Sequence, residues 1–211
     1  MHKLIQGLHH FQKEVVTPQA DFFRTLGDGQ SPETLFITCS DSRIDPNLLT
    51  QTQPGELFII RNAGNMIPQY GTPPGGVIAS IEYAVVALGV QHVVVCGHSH
   101  CGALQGILKP ELVESLPLVK QWLSHSASLR QNIQSQYSDL HEEEQLSIAI
   151  QENVLTQLEN LQSWPFIQER IQSGALQLHG WVYKIDTGEA FVYDPGQEQF
   201  LPTQKLAAAV N

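Results

Sequence analysis

Two cysteines and one histidine are the residues of this chain best suited to bind a metal ion. Cys39 follows the apolar run LFIT, and His98 and Cys101 follow the run HVVVCG. Both runs are typical of buried strands, and the carboxyl ends of parallel strands meet at one edge of a sheet. Two thiolates and an imidazole form a borderline-soft ligand set that suits Zn²⁺. Because three protein ligands leave a fourth position open, the pattern predicts one catalytic zinc ion per subunit.

An acidic and a basic residue, Asp41 and Arg43, follow the first cysteine closely. Such a pair is most often a salt bridge that steadies a loop. Alternatively, Asp41 accepts a proton or hydrogen bond from metal-bound water, while Arg43 orients the carboxylate and keeps it ionised. In a third arrangement Asp41 occupies the fourth zinc position, which displaces water and switches the site off. The sequence leaves these arrangements open and predicts Asp41 and Arg43 as the catalytic pair.

The chemistry of such a site follows from the metal. Zinc lowers the pKa of bound water from about 15.7 to about 7, so that hydroxide is available at neutral pH to attack a small electrophilic carbon. Two thiolates donate more charge than imidazoles and weaken zinc as a Lewis acid. We therefore expect N–H groups to donate hydrogen bonds to the sulfurs and restore some acidity.

Composition excludes several classes of function. The chain of 211 residues has a formal charge of −10, which disfavours nucleic acid and anionic membrane surfaces as partners. We find no apolar run long enough to span a bilayer and no secretion signal. Three cysteines make no disulfide framework and suit a reducing cytoplasm, and Cys96 is predicted to be a small buried hydrophobe. These features predict a cytoplasmic protein.

Apolar runs that alternate with helical patterns predict an α/β fold with a short, mainly parallel central sheet and flanking helices. We expect strands at 34–39, 57–60 and 92–97 and helices at 3–14 and 77–89. A single domain over 1–211 is predicted. Its four parts are an N-terminal helical arm (1–29), a zinc-bearing α/β core (34–108), a helical region (115–172) and C-terminal strands (177–195).

Four motifs resemble those of the β-class carbonic anhydrases. They are CSDSR at 39–43, RNAGN at 61–65, ASIEYAVVALGV at 79–90 and CGHSHCGA at 96–103. The segments DPNLL, ENVLTQLENLQ and LHGWVY resemble the cyanobacterial, carboxysome-associated branch. The resemblance implies a zinc lyase that hydrates CO₂ reversibly to bicarbonate and a proton through a zinc-bound hydroxide.

The resemblance also implies roles for single residues. Cys39, His98 and Cys101 match the family's zinc ligands, and Asp41 and Arg43 match its catalytic pair. Further residues match the substrate pocket of the plant-type subgroup, namely Gln30 as a hydrogen-bond donor to substrate, Phe58 and Tyr83 as a wall contributed across a dimer interface, and Ala63 in place of a larger apolar residue.

At the level of assembly, the resemblance implies a homodimer or larger oligomer whose N-terminal helices pack on a partner subunit. It leaves open recruitment to a carboxysome shell or scaffold protein. Two other functions remain as alternatives. One is hydrolysis of CS₂ or COS on the same scaffold, and the other is a structural or shell-associated zinc protein without significant catalysis. A cysteine-nucleophile enzyme is disfavoured because only three residues separate Cys39 from Arg43.

Overall fold

Six strands form one sheet in the computed structural model, which describes residues 1–73 and 75–204. The strands are β1 (Thr34–Cys39), β2 (Leu57–Asn62), β3 (His92–His98), β4 (Gln177–Tyr183), β5 (Ala190–Asp194) and β6 (Gln199–Pro202). Their order is β2-β1-β3-β4-β5-β6. The four strands from β2 to β4 pair in parallel, whereas β5 and β6 add on antiparallel. The predicted α/β class with a mainly parallel sheet is confirmed.

Seven helices accompany the sheet in the described part of the chain from residue 32 onward. They are α3 (Pro46–Thr50), α4 (Gly76–Glu82), α5 (Gly102–Leu108), α6 (Pro117–Leu123), α7 (Ala127–Gln136), α8 (Glu142–Gln162) and α9 (Pro165–Gln172). Pro46, Pro117 and Pro165 each stand at the start of their helix, where the missing N–H costs nothing. No helix in the described residues is long and apolar enough to cross a membrane.

Two elements were not foreseen. Helix α7 lies within the predicted helical region, but its sequence ASLRQNIQSQ is mostly polar and buries only Leu129 and Ile133, so its amphipathic signal is weak. Strand β6 has four residues at the sheet edge and lies beyond the predicted C-terminal strands. Strand β2 is also two residues longer than expected, because the polar pair Arg61 and Asn62 continues the ladder with β1.

The central strands are buried on both faces. Leu35 and Ile37 of β1 belong to the main core cluster, whereas Phe36 on the opposite face packs in a second cluster with Val94 and Cys96. This double burial explains the continuous apolar runs of the sequence.

Helix α8 covers the sheet where two strands carry glycine. A Cβ atom at Gly180 in β4 would lie 3.0 Å from Val154 Cγ1 and 3.2 Å from Leu158 Cδ1. A Cβ at Gly97 in β3 would lie 3.0 Å from Val154 Cγ2. The two glycines therefore allow α8 to approach the strands closely.

The N-terminal residues 1–31 form a separate compact unit. It contains α1 (His2–His10), a π-helical turn (Phe11–Val16), a 3₁₀ turn (Thr17–Gln19) and α2 (Ala20–Gly27). Pro18 lies in the 3₁₀ turn, and α2 begins two residues after it. None of these helices has a buried residue, and the apolar side chains of α1 and its continuation are exposed, namely Leu4, Ile5, Leu8 and Phe11.

Because α8 approaches Gly180 closely, a larger side chain at this position should destabilise the fold. We expect Gly180→Val to lower the free energy of unfolding by about 1–3 kcal/mol, because the added methyl groups overpack the interface with α8. Urea denaturation followed by circular dichroism measures the change. Gly76→Val is the matched control, because nothing lies within 4 Å of its Cβ position, and it should shift stability by no more than about 0.5 kcal/mol. Equal effects at the two glycines would contradict the packing described.

Candidate metal centre

The two cysteines and the histidine come together at the carboxyl ends of two adjacent parallel strands. Cys39 is the last residue of β1, His98 is the last of β3, and Cys101 immediately precedes α5. Register pairs Thr38 with Cys96, which brings the two strand ends side by side. All three side chains are buried, and their potential ligand atoms lie within 4.8 Å of one another. Residues as far apart in sequence as Cys39 and His98, 59 positions, thus form one group.

The geometry of this group fits a tetrahedral zinc ion. The Sγ atoms of Cys39 and Cys101 are 3.9 Å apart, close to the roughly 3.8 Å that two Zn–S bonds of about 2.3 Å would give. His98 Nδ1 donates to the carbonyl oxygen of Ser99 at 2.9 Å, which fixes the tautomer and leaves a lone pair on Nε2. That Nε2 is buried and has no hydrogen-bond partner among the described residues. A metal ion would satisfy it.

The protonation of the two thiols is coupled. A hydrogen bond from Cys101 lowers the pKa of Cys39 to about 4, against the opposing effect of burial, and the Gly64 N–H contributes further. The pKa of Cys101 is raised, first because it donates that hydrogen bond and then because it is buried. The hydrogen bond between the two sulfurs thus favours the thiolate on Cys39 over that on Cys101, and zinc binding to both sulfurs would release any remaining thiol proton.

A backbone N–H group points to the Cys39 sulfur, in line with the need of a thiolate for hydrogen-bond donors. Gly64 N lies 3.4 Å from Cys39 Sγ. Gly64 has φ +77°, and a Cβ there would meet Met66 Cε at 2.8 Å and Ala103 Cβ at 3.1 Å. Glycine is therefore required for this backbone to reach the sulfur.

Asp41 and Arg43 form a two-pronged ion pair beside the group. Asp41 Oδ1 accepts from Arg43 N at 3.0 Å and Nε at 2.9 Å, and Oδ2 accepts from the terminal guanidinium nitrogen at 2.7 Å. These bonds hold the pKa of Asp41 well below its usual range. Asp41 Oδ2 lies 3.9 Å from His98 Nε2. The carboxylate is paired with Arg43 and is not a member of the three-residue ligand group.

Arg61 holds the backbone that carries Cys39 and Asp41, a role that the sequence did not indicate. Its Nε donates to the carbonyl oxygen of Cys39 at 3.1 Å, and its terminal nitrogen donates to the carbonyl oxygen of Asp41 at 2.6 Å. Arginine in a strand gives no local sign of such a distant contact.

His100 contacts Asp186 and is not a member of the ligand group. Its Nε2 lies 2.8 Å from Asp186 Oδ2, and its carbonyl oxygen accepts from Arg43 at 3.1 Å. A cavity of about 450 Å³ lies beside this pair, lined in part by Phe191 and Phe200, and contains none of the three ligand residues.

The residues predicted to contact substrate are spread over the chain. Gln30 is an exposed residue of the N-terminal unit, and Ala63 precedes Gly64 in the loop after β2. The rings of Phe58 and Tyr83 lie 6.1 Å apart, and Tyr83 is 49% exposed. Register pairs Phe58 with Leu35, four residues before Cys39. Phe58 therefore lies roughly 13 Å along the strand from the level of the ligand group of its own chain.

Cys96 lies outside the ligand group and supplies a matched control for it. Burial raises the pKa of Cys96 to about 12, so it is a thiol that packs in the second core cluster. We expect Cys101→Ala to leave the purified protein with substoichiometric zinc, because one of two sulfur ligands is lost. Cys96→Ala should keep one zinc per chain. Metal analysis by mass spectrometry distinguishes the two variants, and full zinc content in Cys101→Ala would refute the site.

Comparison with known proteins agrees with this arrangement. The family model described as Carbonic anhydrase matches residues 34–190. A carbonic anhydrase of Synechocystis sp. is 49% identical over all of this chain and 77% of its own length. Another from Synechococcus elongatus is 52% identical over 90% of this chain and 70% of its own.

Solved structures agree as well. The β-carbonic anhydrase CcaA has a TM-score of 0.93 and 49% identity, covering 96% of this chain and 98% of its own. A tetrameric β-carbonic anhydrase of Sordaria macrospora has a TM-score of 0.82 and 31% identity, covering 90% and 95%. The expectation of an enzyme is therefore confirmed, and this chain belongs to the β-carbonic anhydrase family.

Proposed function

We propose that this protein hydrates CO₂ reversibly to bicarbonate and a proton, with one zinc ion held by Cys39, His98 and Cys101. The observation that carries the proposal is the unpartnered, buried Nε2 of His98 beside two sulfurs, with an ionised Asp41 next to it. Zinc in this position would supply hydroxide at neutral pH by lowering the pKa of a bound water to about 7. The relatives named above are carbonic anhydrases, which favours CO₂ over CS₂ or COS as substrate.

Asp41 is suited to orient the attacking oxygen through a hydrogen bond that it accepts. Because Arg43 keeps the carboxylate ionised, Asp41 cannot donate a proton. A carboxylate has about four acceptor positions. Arg43 uses two on Oδ1 and one on Oδ2. The free position therefore lies on Oδ2, the oxygen that is 3.9 Å from His98 Nε2.

The alternative classes fit these contacts less well. A purely structural zinc protein has no need for an ionised carboxylate fixed by three hydrogen bonds beside its metal ligands. A cysteine nucleophile that binds an oxyanion with Arg43 would need a free guanidinium, but Arg43 is engaged by Asp41 and by the carbonyl oxygen of His100. Both contacts favour the hydration of a small neutral substrate.

We further propose that Gln30 donates a hydrogen bond to the substrate and that a partner subunit supplies the pocket wall formed by Phe58 and Tyr83. The register distance between Phe58 and the level of Cys39 in one chain supports supply from a partner. Ala63 would leave the pocket slightly roomier. The apolar stripe of α1, which is exposed in this chain, is suited to pack on that partner. A homodimer is the smallest assembly that fits, and location in a carboxysome stays a prediction.

Asp41 provides the test of the catalytic step. We expect Asp41→Asn to lower kcat/KM for CO₂ hydration by on the order of 10²-fold or more, because the amide no longer presents an ionised acceptor. Zinc content should stay at one per chain. Stopped-flow hydration with a pH indicator measures the rate, and Asp139→Asn is the control for the change in charge, since Asp139 is exposed. Full zinc content with unchanged activity in Asp41→Asn would refute the role of Asp41.

Mixed dimers test whether Phe58 acts across the interface. We expect Phe58→Ala alone to lower kcat/KM by at least about 10-fold through loss of the apolar wall. A dimer of one Asp41→Asn chain and one Phe58→Ala chain, purified with two affinity tags, should recover about half of the wild-type activity. The reason is that one site then contains both wild-type residues. If Phe58 serves its own subunit, each site keeps one defect and activity stays near that of the single variants.

A further inference from the structure

One peptide group connects the side chain of Trp122 with the sulfur of Cys39. Trp122 Nε1 donates to the carbonyl oxygen of Ala63 at 2.9 Å. The N–H of the same peptide group belongs to Gly64 and points to Cys39 Sγ, with N to S at 3.4 Å. In a trans peptide the C=O and N–H point in opposite directions. The indole and the sulfur therefore lie on opposite sides of the same planar group.

The backbone around this peptide has little freedom to move. Asn153 Nδ2 of α8 donates to the carbonyl oxygen of Gly64 at 3.0 Å. The side-chain amide of Asn62 donates a hydrogen bond to the carbonyl oxygen of Met66 and accepts one from the N–H of Met66. Trp122 fixes the Ala63–Gly64 peptide plane, which contains the Gly64 N–H. Asn153 fixes the following peptide plane, between Gly64 and Asn65. The orientation of the N–H toward the sulfur thus depends most directly on Trp122.

Hydrogen bonds in a chain polarise one another in a buried environment. An indole N–H that binds the Ala63 oxygen draws electron density from the peptide and makes the Gly64 N–H a stronger donor. A stronger donor withdraws negative charge from the thiolate. Thiolate ligands weaken a bound metal ion as a Lewis acid. A hydrogen-bond donor to the thiolate, such as the Gly64 N–H, therefore raises the Lewis acidity of the metal.

We propose that Trp122 is a positioning residue that tunes the Cys39 thiolate toward its metal ion through the Ala63–Gly64 peptide. The inference rests on the proposed zinc site and assigns to a residue 83 positions from Cys39 a part in its chemistry. Trp122 itself touches neither the ligand group nor the Asp41–Arg43 pair through any hydrogen bond of the described residues.

The chain contains a matched control for this hydrogen bond. Trp164 Nε1 donates to the carbonyl oxygen of Pro68 at 2.9 Å. Like Trp122, Trp164 is half-buried and binds the backbone of the segment that follows β2. Its peptide group, however, has no contact with a sulfur ligand. A purely structural role predicts similar consequences when either indole N–H is removed.

The experiment compares Trp122→Phe and Trp164→Phe in protein loaded with Co²⁺ in place of zinc. The readout is the near-ultraviolet sulfur-to-cobalt charge-transfer band, together with the zinc dissociation constant from chelator competition. We expect Trp122→Phe to move the band to lower energy, because the sulfur retains more charge, and to change the zinc dissociation constant about 10-fold. Trp164→Phe should leave both quantities as in the wild type.

A charge-transfer band in Trp122→Phe that coincides with the wild-type band overturns the inference, as does an equal shift in Trp164→Phe. Both outcomes leave the proposed function intact. A wild-type protein that takes up no stoichiometric Co²⁺ or zinc overturns the proposed function and this inference together.

A second measurement covers failure of Trp122→Phe to fold. Fluorotryptophan, incorporated in a background with both Trp164→Phe and Trp181→Phe so that Trp122 is the one remaining tryptophan, makes the Trp122 indole N–H a stronger donor without removing it. We then expect the charge-transfer band to move to higher energy than in the unlabelled protein. An unchanged band in the labelled, folded protein overturns the inference.

Discussion

The structure depends on the close burial of three lone-pair donors at one point. Two sulfurs 3.9 Å apart and an imidazole nitrogen without a partner among the described residues lie together in a buried position. Polar atoms in such a place are costly unless a proton or a cation joins them. The hydrogen bond between the two sulfurs does this only in part, because it leaves His98 Nε2 unsatisfied. A zinc ion would satisfy all three atoms, and the surrounding backbone is organised to hold them.

That organisation comes from several distant parts of the chain. Parallel pairing of β1 and β3 sets the two strand ends side by side. Arg61 fixes the backbone after Cys39, and the loop after β2 brings the Gly64 N–H to the sulfur. The Asp41–Arg43 pair lies beside the ligands without joining them. Each contact restricts the movement of one group. Together they hold the ligand residues and the Asp41–Arg43 pair in fixed relative positions.

Helix α8 supports this loop with a buried polar stripe. The stripe lies on one buried face of the helix, where apolar residues would be expected. It consists of Asn153, Gln157 and Asn160. Gln157 instead accepts from the N–H of Ile67 at 2.7 Å, and Asn160 donates to its carbonyl oxygen at 2.9 Å. Buried loop backbone needs such partners because no strand or helix pairs it. The polar stripe is thus explained by the loop that carries Gly64.

The sequence by itself determined five of the six strands, the α/β class and the identity of the metal-capable group, because these depend on local periodicity and on ligand types. It also indicated that N–H groups would support the sulfurs. Only the tertiary structure decided which N–H does so and that Arg61, Trp122 and Asp186 lie near the site. The reason is physical: these are contacts between groups 20 to 86 residues apart, and such contacts are set by strand register and helix packing rather than by neighbouring residues.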